Sequence, residues 1–64
     1  MGPMDDLCYL VEQWDETGQR VEELISASAD LLVARAAFES AIKRRPDRLI
    51  LLRHKTRVIQ QSRQ

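Results

Sequence analysis

Apolar residues fall into four groups along the chain, each with its own spacing. The first two, residues 7–14 (LCYLVEQW) and residues 21–25 (VEELI), flank the polar stretch Asp15-Glu16-Thr17-Gly18. Tyr9, Val11 and Trp14 are types that favour strands. Gly18 accepts a positive φ at no steric cost, as a hairpin turn requires. A two-residue loop at Thr17-Gly18 would set Asp15 opposite Arg20, Trp14 opposite Val21, Val11 opposite Leu24 and Leu10 opposite Ile25. Those are favourable cross-strand pairs. A three-residue loop would instead oppose Glu12 to Glu22 and Val11 to Glu23, so the shorter loop is preferred. The same residues also fit a helix. Leu7, Leu10, Val11 and Trp14 follow i, i+3, i+4, i+7 spacing, as do Val21, Leu24 and Ile25, with Gly18 as a cap between them. Periodicity alone does not separate strands from helices here.

The third group is plainly helical. Over residues 29–45, Leu31, Ala34, Phe38, Ala41 and Ile42 make one apolar stripe. Ser28 is the predicted N-cap, and Asp30 lies in the first turn, where the dipole favours an acid. Lys43, Arg44 and Arg45 complement the carbonyl end, and Pro46 stops the helix. The alanines allow the helix to lie close to a sheet. The fourth group, LILLR after Pro46-Asp47-Arg48, reads as a buried strand. A turn at His54-Lys55 would return it into RVIQQS and pair Leu51 with Val58 and Ile50 with Ile59. That turn has no glycine, so a single bent strand over residues 48–61 is the alternative.

At 64 residues the chain is one domain. It is expected to span residues 4–62, with Met1-Gly2-Pro3 read as a vector-derived remnant before Met4 and residues 63–64 as a frayed end. A domain this small buries only about 60% of its unfolded surface. Cys8 is the sole cysteine, so no intrachain disulfide is possible, and Cys8 with His54 is too few ligands for structural zinc. Self-association or a protein partner is the remaining route to more burial. The lone cysteine and the absence of an apolar signal segment fit a cytoplasmic location. With no run of 18 apolar residues, no membrane span is expected.

Ten bases balance ten acids, but unevenly. Residues 1–30 carry eight acids and one base, hence −7; residues 31–64 carry nine bases and two acids, hence +7. The plain interpretation is mutual neutralisation in the fold. The sharper one is a pair of interaction surfaces.

The order YLVEQWDETGQRVEE, ADLLVARAAFESAIKRRP, RLILLRHKTRVIQQS resembles a group of short, uncharacterised bacterial proteins. They share an acidic hairpin around W-D-x-x-G-x-R-V, an Ala-rich helix containing A-R-A-A-F, and a basic strand pair ending R-V-I. The resemblance covers nearly everything after Leu7 and implies strands rather than helices in the first third. It implies no activity, so no functional residue carries over. Where those relatives have a small residue in the second turn, this chain has Lys55.

Little in the chain points to catalysis. Glu22-Glu23 and Asp15-Glu16 are adjacent carboxylates, and neighbours on a strand point to opposite faces, which is poor geometry for acid and base acting on one bond. Asp15 and Glu16 are expected to serve the turn. Cys8 and His54 lack an orienting group or oxyanion motif; Cys8 reads as a small apolar filler and His54 as exposed at a turn. No glycine-rich phosphate loop is present, and neither a cofactor nor a small-molecule substrate is expected. Nucleic acid is a possible partner through Arg44, Arg45, Arg48, Arg53, Lys55 and Arg57, although no aromatic stacking platform accompanies them. The acids Glu12, Asp15, Glu16, Glu22 and Glu23 would alternatively imitate a phosphate row, as in a small phage-type inhibitor.

The preferred register puts Cys8, Leu10, Trp14, Val21 and Ile25 on one sheet face and Tyr9, Val11 and Leu24 on the other. One helix covers one face, so the other is left apolar and open to a partner. The sequence therefore predicts an α+β ββαββ module with the helix on one sheet face, an all-α helical hairpin being the alternative. It predicts a non-catalytic interaction or regulatory protein, a homodimer or a binder of another protein, with Tyr9, Val11, Trp14 and Leu24 as candidate interface residues.

Overall fold

The computed structural model describes residues 8–62. Residues 1–7 and 63–64, which include the expected remnant and frayed end, lie outside the described residues. The elements are β1 (Tyr9–Trp14), β2 (Val21–Ser28), α1 (Leu31–Arg44), β3 (Leu49–His54) and β4 (Arg57–Gln61). They form one antiparallel sheet in the order β2-β1-β3-β4, with α1 packed over β2, β1 and β3. This is the α+β arrangement; the helical-hairpin alternative falls because residues 9–14 and 21–28 are paired strands.

The helix starts later than its sequence suggests. Its N-cap is Asp30, whose carboxylate accepts from the Leu32 N–H at 2.7 Å and the Val33 N–H at 3.4 Å. Ser28 is held in the ladder opposite Tyr9, so its backbone stays extended, and its hydroxyl accepts from the Asp30 N–H at 3.0 Å. At the other end the Arg45 N–H reaches Ala41 O at 2.9 Å before Pro46 ends the helix. The stripe faces the sheet. Ala34, Phe38 and Ala41 are buried with Val11, Ile50 and Leu52, and Tyr9, Ile25, Leu31, Ala37, Ile42 and Ile59 pack around them.

The register between β1 and β2 departs from expectation beyond the first pair. Trp14 opposes Val21, but two irregularities follow: Gln13 pairs with Glu23, Glu12 with Leu24, then Val11 with Ser26 and Leu10 with Ala27. The expected Val11–Leu24 and Leu10–Ile25 pairs do not form. Each extra residue in a strand resets which face the next one takes. Ile25 thereby packs against the core under α1, and Leu24 lies with Glu12 on the opposite face. Tyr9 and Val11 lie on the helix side, Leu10, Trp14 and Val21 on the other.

Residues 48–61 form a hairpin, not a bent strand, and its turn is Lys55-Thr56 rather than His54-Lys55. His54 opposes Arg57, Arg53 opposes Val58, and after an irregularity at Ile59 Leu52 opposes Gln60 and Leu51 opposes Gln61. Lys55 has φ +58°, the left-handed region that a Cβ disfavours. Asn tolerates it better. Lys55→Asn is expected to stabilise the domain by about 0.5 kcal/mol, read as a rise in the urea midpoint with unchanged slope.

Candidate protein-interaction face

Alternation and pairing define the face turned away from α1 as three rows. Val21, Trp14 and Leu49 form the first; Leu24, Glu12, Leu51 and Gln61 the second; Ala27, Leu10, Arg53 and Val58 the third. Eight of these eleven positions are apolar. No described element covers them, since α1 lies on the other side. The large apolar side chains at the two margins are open to solvent: Leu24 is 56% exposed, Val21 44% and Val58 46%.

One ion pair sits among these rows. Arg53 Nε donates to Glu12 Oε1 at 2.6 Å and Arg53 Nη2 to Glu12 Oε2 at 2.9 Å, a two-pronged contact that favours guanidinium over ammonium. The Trp14 indole N–H donates to the same Glu12 Oε1 at 3.2 Å, and the Arg53 guanidinium carbon lies 5.8 Å from the Trp14 ring centroid. These contacts enclose Glu12 to 5% exposure on a face that has no covering layer. The hydrogen bond to Glu12 and the charge behind it raise the Arg53 pKa above its usual value, against some desolvation.

Sequence alone did not reveal this cluster. Glu12 and Trp14 alternate on one strand, which is visible, but Arg53 joins them only because β1 pairs with β3 across the sheet. Among the candidate interface residues, Trp14 and Leu24 lie on the open face. Val11 is removed from that set: it is fully buried beneath the helix. Tyr9 also lies on the helix side, where its ring stacks on His54 at 4.7 Å between centroids. That stacking corrects the expectation of an exposed His54, which is half-buried at the end of β3. Cys8 lies beside it in the fold, its carbonyl accepting from the Lys55 N–H at 3.1 Å. Two exposed apolar side chains that sequence reasoning did not single out, Leu32 and Val33, lie on the outer side of α1.

The acids are engaged in distinct ways. Glu12 pairs with Arg53, and Glu23 with Arg45 at 3.0 Å; Arg45 also donates to Gln13 Oε1 at 2.9 Å. Glu22 accepts from Gln13 at 2.8 Å. Asp15 organises the first turn, with Oδ1 accepting from the Gln19 N–H at 2.9 Å, the Thr17 hydroxyl at 3.0 Å and the Arg20 N–H at 3.4 Å; Glu16 is exposed beside it. The Gln19 bond, more than the others, holds the Asp15 pKa below the ordinary aspartate value. A depressed carboxylate pKa stabilises the fold above its unfolded value, and that stability is lost as pH falls through the folded one. Asp15→Ala is expected to lower the thermal midpoint at pH 7 and to flatten its decline below about pH 4, measured by melting across pH 2–7.

The six basic candidates are not brought together. Arg44, Arg45 and Arg48 gather at the end of α1 and the start of β3, whereas Lys55 and Arg57 lie beyond its other end, about 17 Å along five strand residues. Arg45 and Arg53 already serve Glu23 and Glu12. Among the described residues no cluster of three His, Cys, Asp or Glu side chains is placed to hold a metal ion, and no helix is long and apolar enough to cross a membrane. No family model, curated protein or solved structure matches the chain.

Proposed function

We propose that this chain is a small non-catalytic protein-interaction module of regulatory type, and that it works through the sheet face opposite α1. The observation that carries the reading is the exposure of Val21, Leu24 and Val58 at the margins of that face, with Trp14 and the Glu12–Arg53 pair between them. Contiguous exposed apolar surface is a common mark of a binding site, and Trp and Arg are frequent anchors within one. The pairing of Glu12 with Arg53 and of Glu23 with Arg45 supports a structural role for those charges rather than a catalytic one.

Capture experiments from the source cell test this reading, with the parent chain, Leu24→Glu and Leu32→Glu as baits. Leu24→Glu places a charge on the open sheet face; Leu32→Glu places one on the outer side of the helix, where Leu32 is 75% exposed. Loss of captured protein with Leu24→Glu and retention with Leu32→Glu is the expected result. Equal capture by the parent and Leu24→Glu would overturn the assignment of the face.

A further inference from the structure

We infer that the occupant of the open face is a second copy of this chain, packed sheet to sheet about a two-fold axis parallel to the strands; this rests on the reading of that face as a binding surface. Two observations carry it.

The first is charge self-complementarity. The face holds one acid and one base, Glu12 on β1 and Arg53 on β3, in adjacent rows of the two central strands. A two-fold axis along the strands, between β1 and β3, exchanges those strands. It brings β1 of one copy over β3 of the other, so that Glu12 lies over the partner's Leu51 and one row from the partner's Arg53. Stacked sheets are about 10 Å apart, and both side chains point into the gap. Each carboxylate then has two guanidinium groups near it. A purely apolar partner would desolvate the pair and return nothing to it. A two-fold axis across the strands through the middle row would instead stack Glu12 on Glu12.

The second is the fit of apolar rows. Trp14 meets Leu49, Ala27 meets Val58 and Leu24 meets the stem of Gln61, so the exposed margins are covered as well as the centre. Four strands at about 4.8 Å spacing and six residues at about 3.3 Å give a face of roughly 20 by 20 Å. Two such faces remove roughly 800–1,200 Å² from water, at the lower edge of specific interfaces, so a midpoint on the order of tens of micromolar is expected.

The test is sedimentation equilibrium of the full chain from about 5 μM to 1 mM, a range set by that midpoint. The parent chain should pass from one-chain to two-chain mass, and Leu24→Glu should raise the midpoint about tenfold or more. Circular dichroism melts of the dilute proteins verify that Leu24→Glu is folded. If it is not, Val58→Glu on the opposite margin serves the same purpose. The axis is tested in a Cys8→Ser background. Leu24→Cys combined with Gln61→Cys should yield an inter-chain disulfide on mild oxidation, and Leu24→Cys alone should not. A parent chain that stays at one-chain mass to 1 mM overturns the inference, as does a Leu24→Glu chain that associates like the parent. Ready cross-linking by Leu24→Cys alone overturns the axis. If the parent is monomeric while Leu24→Glu still loses captured protein, the second copy is excluded and the binding face stands. If capture is also unchanged, the face itself fails.

Discussion

Phe38→Ala should leave the chain largely unfolded at 37 °C. Phe38 is 3% exposed and sits in the middle of the helix stripe, between Ala34 and Ala41, against Val11, Ile50 and Leu52. Removing a buried phenylalanine side chain costs about 3–5 kcal/mol. A domain of 64 residues has a total stability of roughly 3–10 kcal/mol at the usual value per residue. The loss is therefore comparable to the whole. The site also resists repair by relaxation. The alanines that bring α1 close to the sheet carry only a methyl group, which cannot swing into the space, and Val11, Ile50 and Leu52 are fixed by ladder pairing on β1 and β3. Phe38→Leu retains most of the volume and should cost only about 1–1.5 kcal/mol. Urea unfolding followed by circular dichroism measures both. A cooperative Phe38→Ala transition close to that of the parent would mean that the core is not centred on this ring.

The second large effect is expected at Arg53. Arg53→Ala removes both guanidinium hydrogen bonds to the Glu12 carboxylate, which is 5% exposed in the parent chain, and leaves only the Trp14 N–H as its side-chain partner. Breaking one side of a fully buried pair costs about 3–5 kcal/mol. Arg53 keeps 22% of its side chain in solvent, so water screens part of the interaction and about 2–3 kcal/mol is expected. Glu12→Val combined with Arg53→Leu should recover most of the loss, because two apolar side chains need no partner and strands accept both types. The urea midpoints of the parent, Glu12→Val, Arg53→Leu and the double variant form a cycle whose coupling term isolates the pair. A coupling near zero would show that the contact contributes nothing to stability. The double variant also removes the one charged feature of the open face. Folding stability should survive, while the preference for cross-linking through Leu24→Cys with Gln61→Cys over Leu24→Cys alone should be lost.

Much of the architecture was readable in advance because its signals are local. The stripe from Leu31 to Ile42, the stop at Pro46 and the positive φ at Gly18 follow from periodicity and single-residue sterics. The Trp14–Val21 pair beside the turn was also legible, since a turn sets the register of its nearest neighbours. Further from the turn, register was not legible. The irregularities near Ile25 and Ile59 arise where the strand adjusts so that an apolar side chain reaches the core, and that depends on where the helix lies. Ser28 illustrates the same limit. It has a good capping side chain, but the ladder to Tyr9 holds it as strand, and Asp30 caps instead.

By itself the sequence determined the central helix, its apolar face and the division of charge between the two halves; the order hairpin, helix, hairpin, and with it the surplus of apolar sheet, was its preferred reading beside a helical hairpin and a single bent strand. Tertiary structure alone decided which residues form that surplus. Val11 went to the core because α1 packs on its side of β1, and Leu24 parted from it to the surface because the residue inserted at Glu22 reverses the facing of those after it. It also decided which charges meet. Glu12 and Arg53 are 41 positions apart in sequence, and only the β1–β3 pairing places them side by side. Side-chain alternation and helix periodicity are properties of a few consecutive residues. The partner across a sheet is a property of the whole chain's packing.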